Sequence, residues 1–320
     1  MTLQDIIDSD PGIVNDRDQE GLTPLHLAAI SGNVTALTLF LARAETGVNT
    51  PDNHGHTALH WSVVCGHDQC VRLLCQHHQI SVNLQDSQGC SALHYAAQSN
   101  NVDLVQTLLD HGAEPSTCDN VGRTPLLWSA SAGAVETFRT LSTLEIDCLQ
   151  VRDHQSLTVL HSAAAVGHAD VVHEILTKNR DDIDVVDDDG ASSLFYAANN
   201  GHIQCVKMLI EAGADVNHQD CYGRTPFLCG VVSGKICVLE HLRDAGADTD
   251  TVTGDGDTAL HLAIVKHNLD MVTWIIDNCS KDIINKANKR GVCPLHLSCS
   301  RNSVRSEIFS FFSFFFQIFF

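Results

Sequence analysis

The sequence predicts an all-α solenoid built from short helix-turn-helix units, each too small to bury its own apolar face. Three observations carry this expectation. A four-residue anchor recurs nine times at intervals of 33 to 35 residues. A D-x-x-G-x-T phrase stands in register with most of the anchors. An i, i+3, i+4 apolar pattern follows at a fixed distance, the signature of a one-sided helix.

The anchors begin at Thr23, Thr57, Ser91, Thr124, Thr158, Ser192, Thr225, Thr258 and Cys293, as in Thr23-Pro24-Leu25-His26 and Thr57-Ala58-Leu59-His60. Five residues before the anchor stands Asp in seven units, from Asp18 to Asp220. Two before it stands Gly in eight, with Ser156 the exception. The phrase reads as a turn and a helix cap: the Asp carboxylate satisfies turn N–H groups, Gly accepts positive φ, the Thr hydroxyl caps the helix and Pro suits its first position.

Nine residues after the anchor comes a second stop: Gly32, Gly66, Asn100, Gly133, Gly167, Gly201 and Gly234, with His267 irregular. Gly or Asn there predicts a left-handed helix end. The second helix then carries its core at Val105/Leu108/Leu109, Val172/Ile175/Leu176, Val206/Leu209/Ile210 and Val272/Ile275/Ile276. Alanine pairs such as Ala28-Ala29 and Ala96-Ala97 let first helices approach closely.

The two ends depart from the pattern. Residues 1–17 read as a partial repeat or N-terminal cap, with Leu3, Ile6 and Ile7 in place of a second helix. Repeats run over 18–302, the ninth incomplete. Residues 303–320 form a Phe-rich tail with eight of the twelve Phe in its last thirteen residues. A membrane anchor is one reading, but the run falls short of the roughly 20 apolar residues a span needs. The preferred expectation is a segment foreign to the array, such as a mis-spliced end.

The charge narrows the partners. With 39 acidic against 19 basic residues the formal net charge is −20, and no Lys precedes Lys178. Such a chain repels phosphate backbones and anionic lipid, so nucleic acid and membrane are discounted and a basic protein or peptide is the electrostatic match. The thirteen Cys are odd in number and spread through helical patterns. They are expected to be mostly buried free thiols in a reducing, cytoplasmic compartment. No signal peptide is visible, and the sequons at Asn33 and Asn278 are taken as chance.

No catalytic or metal site is expected, and no cofactor. Cys65, Cys70 and Cys75, with His77-His78 nearby, lack a zinc spacing. No phosphate-loop, nucleophile-elbow or metalloprotease motif occurs. Six of the 19 His belong to the anchors and three follow the inter-helix Gly.

With its anchors, its D-x-x-G-x-T turns and its period, the chain closely resembles the ankyrin-repeat family over residues 18–302. The resemblance implies structural hydrogen bonding for the anchor histidines, a concave face lined by first helices and turn tips, and a non-catalytic scaffold, expected as a monomer, that binds proteins or extended peptides. Four residues after the anchor stand Trp61, Tyr95, Trp128 and Tyr196, the first three in consecutive units. They are expected to form an aromatic row that grips a partner, against the plainer reading that they fill space between helices. The variable tips add Asn53, His54, Arg123, His154, Tyr222 and Arg224. Asp187, Asp188 and Asp189, with Asp255 and Asp257, make an acidic tip region, either solvated loop or an attractor for Lys and Arg. Residues 57–61, 86–89 and 93–100, with a looser match continuing through Gly122-Arg123-Thr124 and Trp128 to Leu160-His161, further resemble inversin-type arrays, which implies ciliary or Wnt-related signalling. The alternatives are the cytosolic array of a membrane protein, a palmitoyltransferase or channel, and the recognition part of a kinase or ubiquitin ligase.

Overall fold

The computed structural model describes residues 3–144, 150–180 and 182–300, except the side chain of Ser300. The Phe-rich tail at 303–320 lies outside the described residues. The chain divides into two compact units that part between Val159 and Leu160. In the first, a leading helix α1 (Leu3–Ser9) precedes four helix pairs: α2 (Pro24–Ile30) with α3 (Val34–Leu41), α4 (Ala58–Val64) with α5 (Asp68–Cys75), α6 (Ala92–Gln98) with α7 (Val102–Asp110), and α8 (Pro125–Ala132) with α9 (Val135–Leu141). The second unit opens one residue into α10 (Val159–Val166), which pairs with α11 (Ala169–Lys178). It continues with α12 (Ser193–Asn200) and α13 (Ile203–Glu211), α14 (Pro226–Ser233) and α15 (Ile236–Asp244), α16 (Ala259–Val265) and α17 (Leu269–Asn278), and then α18 (Pro294–Ser300). Among the described residues only isolated β-bridges occur, each closing a turn.

The turns fold as their residues dictate. In all nine, the residue in the Asp position accepts a backbone hydrogen bond from the residue three ahead, as Gly55 to Asp52 at 3.2 Å and Gly122 to Asp119 at 3.0 Å. The closing residue takes positive φ throughout, and Ser156, the one non-glycine, is held at +62°. Each Asp Oδ1 accepts from two turn N–H groups, as Asp52 does from His54 at 2.8 Å and His56 at 2.9 Å. Consecutive tips are tied by backbone bonds such as Ser87 N–H to His54 O and Asn120 N–H to Gln88 O, both 2.9 Å. The second stops behave alike: Asn100 and His267 are left-handed at +54° and +55° in company with the glycines.

The anchor histidines cap one unit and reach the next. The Thr23 and Thr57 N–H groups donate to Nδ1 of His26 and His60 at 3.0 and 3.1 Å, and Ser91 does the same to His94 at 3.1 Å. With Nδ1 committed as an acceptor, the proton sits on Nε2. That nitrogen donates to a carbonyl of the following turn: His26 to His56 O, His60 to Cys90 O and His94 to Arg123 O, at 3.0 to 3.1 Å. His161 and His261 reach Ala191 O and Val292 O in the same way. Burial lowers the pKa of His26, His60 and His94, each held neutral between two backbone groups.

First helices pack on first helices and second on second, α2–α4–α6–α8 beside α3–α5–α7–α9 in the first unit and α12–α14–α16–α18 beside α11–α13–α15 in the second. The expected core is enclosed in α11 and α17, where Val172/Ile175/Leu176 and Val272/Ile275/Ile276 are all buried, but shifts by one position in α7 and α13. Leu109 and Ile210 are only half-buried, whereas the residues before Val105 and Val206, Leu104 and Cys205, are fully enclosed. The same slot is filled by Cys70, Val171, Val238 and Met271. In α7 and α13 the buried positions are thus i, i+1 and i+4, and in α11 and α17 i+5 is buried as well, because these helices are wedged between two neighbours rather than laid on one.

The cysteine expectation holds only in part. Cys70, Cys75, Cys90, Cys205 and Cys229 are buried, but Cys65, Cys118, Cys221, Cys237 and Cys299 are exposed at helix ends and tips. Helical periodicity alone does not separate the two sets.

Three outcomes follow for stability. Leu108 is wholly enclosed, so Leu108→Ala lowers the unfolding free energy by about 2–5 kcal/mol in urea titration. Gly66 and Gly122 both have positive φ, but a Cβ at Gly66 meets nothing within 4 Å and one at Gly122 meets the His154 backbone nitrogen at 2.9 Å. Gly66→Ala therefore costs about 1–2 kcal/mol of backbone strain, and Gly122→Ala costs measurably more; equal costs would contradict the close approach of the tips. Finally, the unfolded chain protonates its histidines near pH 6.5 while His26, His60 and His94 resist until lower pH. The stability from these three is complete above pH 6.5 and declines as pH falls below it. A melting temperature that stays level or rises between pH 6.5 and 5.5 would oppose this assignment.

Candidate protein-binding face

The anchor-plus-four aromatics are built into the turns. Each lies nine residues after its turn aspartate and bonds to the second carboxylate oxygen. The Trp61 indole N–H donates to Asp52 Oδ2 at 2.9 Å and Trp128 to Asp119 Oδ2 at 3.0 Å. The Tyr95 hydroxyl donates to Asp86 Oδ2 at 2.5 Å and Tyr196 to Asp187 Oδ2 at 2.6 Å. One carboxylate thus closes the turn through Oδ1 and orients the ring through Oδ2. Burial raises the pKa of Asp52 and Asp119, but the indole and backbone donors outweigh it and hold both low. Burial, reinforced by Asp86, pushes the Tyr95 phenol up. All four rings are half-buried, so each offers one edge to solvent.

In the first unit three of these rings form a row. Tyr95 and Trp128 meet edge to face with centroids 5.6 Å apart. Trp61 and Tyr95 are bridged by His56, whose ring lies 5.1 Å from Trp61 and 6.1 Å from Tyr95. His56 also stands between two carboxylates, Nδ1 3.5 Å from Asp52 Oδ2 and Nε2 3.4 Å from Asp86 Oδ2. The sequence reading passed over His56; its place directly before an anchor, beside the aromatic position of two units, is the signal that could have found it. His54 and Asn53 are exposed at the neighbouring tip.

The tip arginines are less free than expected. Arg123 Nε donates to Asp119 Oδ2 at 2.9 Å, with its guanidinium 5.2 Å from the Trp128 ring centre. Arg224 Nε donates to Asp220 Oδ2 at 2.7 Å, with its guanidinium 4.9 Å from both the Phe195 and Tyr222 rings. Asp187 is likewise withdrawn from the acidic tip group, since it is buried in its own turn. Asp188, Asp189 and Asp255 remain exposed, and Tyr222 is 55% accessible.

Helix boundaries expose a further regularity. None of the nine first helices, from α2 to α18, contains Asp, Glu, Lys or Arg. The charges sit on the second helices, as in α5, α11 and α15, and on the loops. On the charge-free row of the first unit, Leu27, which holds the anchor-plus-four position of its repeat, is 51% exposed, and Val64, three residues after Trp61 in α4, is 49% exposed. Interface cores are depleted in charge and enriched in aromatics in this way.

Among the described residues no three His, Cys, Asp or Glu side chains converge on a metal position. Burial pushes the Cys75, Cys90 and Cys229 thiols up to about 12, which leaves them protonated. Among the described residues no helix is long and apolar enough to cross a membrane.

Comparison with known proteins agrees with this architecture. A family model for ankyrin repeats in three copies matches residues 2–86, 78–152, 160–252 and 227–311. The E3 ubiquitin-protein ligase KEG of Arabidopsis thaliana is 31% identical over 177 residues, 55% of this chain and 10% of that protein. The B-cell lymphoma 3 protein homolog of Mus musculus is 29% identical over 53% of this chain and 39% of its own length. Palmitoyltransferase AKR1 of Lachancea kluyveri is 29% identical over 59% of this chain and 25% of its own. The chain thus spans well under half the length of these relatives. Repeat spacing, turn chemistry and matched residues agree, and the chain belongs to the ankyrin-repeat family.

Proposed function

We propose that the chain is a non-catalytic protein-binding module whose partners dock on the first-helix row. The observation that carries this reading is the absence of Asp, Glu, Lys and Arg from every first helix in a chain of net charge −20. A surface kept apolar beside Leu27, Val64 and the ring edges suits the core of an interface, and the acidic loops around it suit a basic protein or extended peptide. Trp61, Tyr95, Trp128 and Tyr196 serve as anchors held by their aspartates, with His54, Arg123, Tyr222, Arg224, Asp188 and Asp189 at the rim. Five exposed thiols fit a reducing, cytoplasmic setting.

A second reading is favoured by the relatives' lengths: the array as the recognition part of a longer protein. Relatives named as a ligase and a palmitoyltransferase share only their repeat portion with it. The binding role is the same in either case. The inversin-type assignment, with its ciliary or Wnt-related signalling, rests on the phrases at 57–61, 86–89 and 93–100 and their looser continuation to Leu160-His161.

The test is affinity capture from cell extract by the whole chain and by Leu27→Glu/Val64→Glu. Both sites are exposed, so the variant folds, which circular dichroism checks. Partners are expected to be lost from this variant and kept by Gln106→Glu on the second-helix side. An identical partner list for all three proteins would remove the first-helix row as the binding face.

A further inference from the structure

On the reading of the chain as a protein-binding module, we propose that a pocket between the seventh and eighth turn tips takes an arginine side chain of the partner. The pocket has a volume of about 460 Å³ and is lined by Tyr222, Arg224, Asp255, Asp257 and Leu262, with Cys221 at its edge. It lies wholly within the second unit. The backbone bond from Gly254 N–H to Tyr222 O, 2.6 Å long, fixes the two tips against each other.

The lining suits a guanidinium. Tyr222 supplies an aromatic ring that is more exposed than buried, pinned by the Arg224 guanidinium 4.9 Å from its centre. Arg224 does not repel a second cation strongly, because Asp220 Oδ2 neutralises it through Nε at 2.7 Å and Nη2 at 2.6 Å. Negative charge comes from Asp255, which is exposed, and from half-buried Asp257, whose Oδ1 accepts from Asn288 Nδ2 at 2.7 Å. Asp189 adds negative potential beside the ring, its Oδ1 3.5 Å from the Tyr222 hydroxyl. Half-buried Leu262 provides an apolar wall for a methylene stem. A planar cation that stacks on an aromatic ring and bonds to carboxylates fits this set better than a compact ammonium does. The excess negative charge of the chain draws such a partner in.

The experiment is titration of the full-length ¹⁵N-labelled chain with a blocked glycyl-arginyl-glycine tripeptide and, in parallel, its citrulline analogue, which keeps the shape and loses the charge. The arginine peptide is expected to move the amide signals of Tyr222, Gly254, Asp255 and Asp257, and the citrulline peptide to leave them in place. Asp255→Asn and Tyr222→Ala, both at exposed positions, are each expected to weaken binding about ten-fold, the loss of one charge-assisted contact. Equal shifts with citrulline, or unchanged affinity in both variants, would overturn the assignment. Captured partners that still depend on Leu27 and Val64 would then show that the pocket had failed and the binding face had not.

Discussion

Each turn in this chain must close on itself, seat the helix that follows and lie against the next turn, and in seven units one aspartate meets most of these demands. Its Oδ1 takes two backbone N–H groups that the tight turn leaves without a carbonyl. In five of the seven, Asp52, Asp86, Asp119, Asp187 and Asp220, Oδ2 accepts from an aromatic N–H or O–H or from an arginine. A buried carboxylate without such donors would be costly; here the donors are supplied locally, nine residues ahead or four. The rings on the candidate face are consequences of this arrangement. They stand at fixed heights because their polar atoms are bound, which suits them to serve as rigid contacts.

The second recurring constraint is the neutral imidazole that spans two units. It satisfies the cap N–H of its own helix and the carbonyl of the next turn, so unit and neighbour are ordered together. The fourth, sixth and seventh units lack it: Leu127, Phe195 and Leu228 replace the histidine. At the fourth and seventh, Thr124 and Thr225 still cap the helix through Oγ1. At the sixth, Ser192 Oγ is buried without a partner, a condition that costs on the order of 1–3 kcal/mol. Phe195 offers a different contact instead, its ring against Arg224 of the next unit. An exchange of hydrogen bond for cation–π packing therefore marks the place where the second unit presents Tyr222 and Arg224.

Much of the fold was legible because the repeats average over local ambiguity. The turn aspartates, the left-handed glycines and the caps could be read from nine aligned examples, and even the odd cases, Ser156 and His267, adopt the backbone their positions demand. The core register was off by one in α7 and α13, where Leu104 and Cys205 are enclosed and Leu109 and Ile210 are not, because periodicity along a helix does not reveal that the helix is flanked on two sides; in α11 and α17 the expected Leu176 and Ile276 are buried. The aromatic row could be located from sequence, but its bonds to the turn aspartates could not, since the partners are joined across a turn whose geometry must be seen. His56 shows the same limit: its place before the Thr57 anchor can be read from sequence, but its position between Asp52 and Asp86 and against two rings cannot.

The distribution of charge gives the candidate face its physical logic. With about twice as many acidic as basic residues, copies of the chain repel one another at long range, which on the proposed reading offsets the tendency of an uncharged row to self-associate. Placing the charges on second helices and loops leaves the first helices free to be apolar where a partner needs desolvated contact. The two parts act at different distances. On the proposed reading, the acidic loops act over roughly 10 Å at ordinary salt and would govern encounter with a basic partner, while the Leu27, Val64 and ring surface would act only on contact and govern how long that partner stays. Partner choice then depends on the rim, where the units differ from one another, while the rows beneath it stay nearly identical because each unit solves the same packing problem.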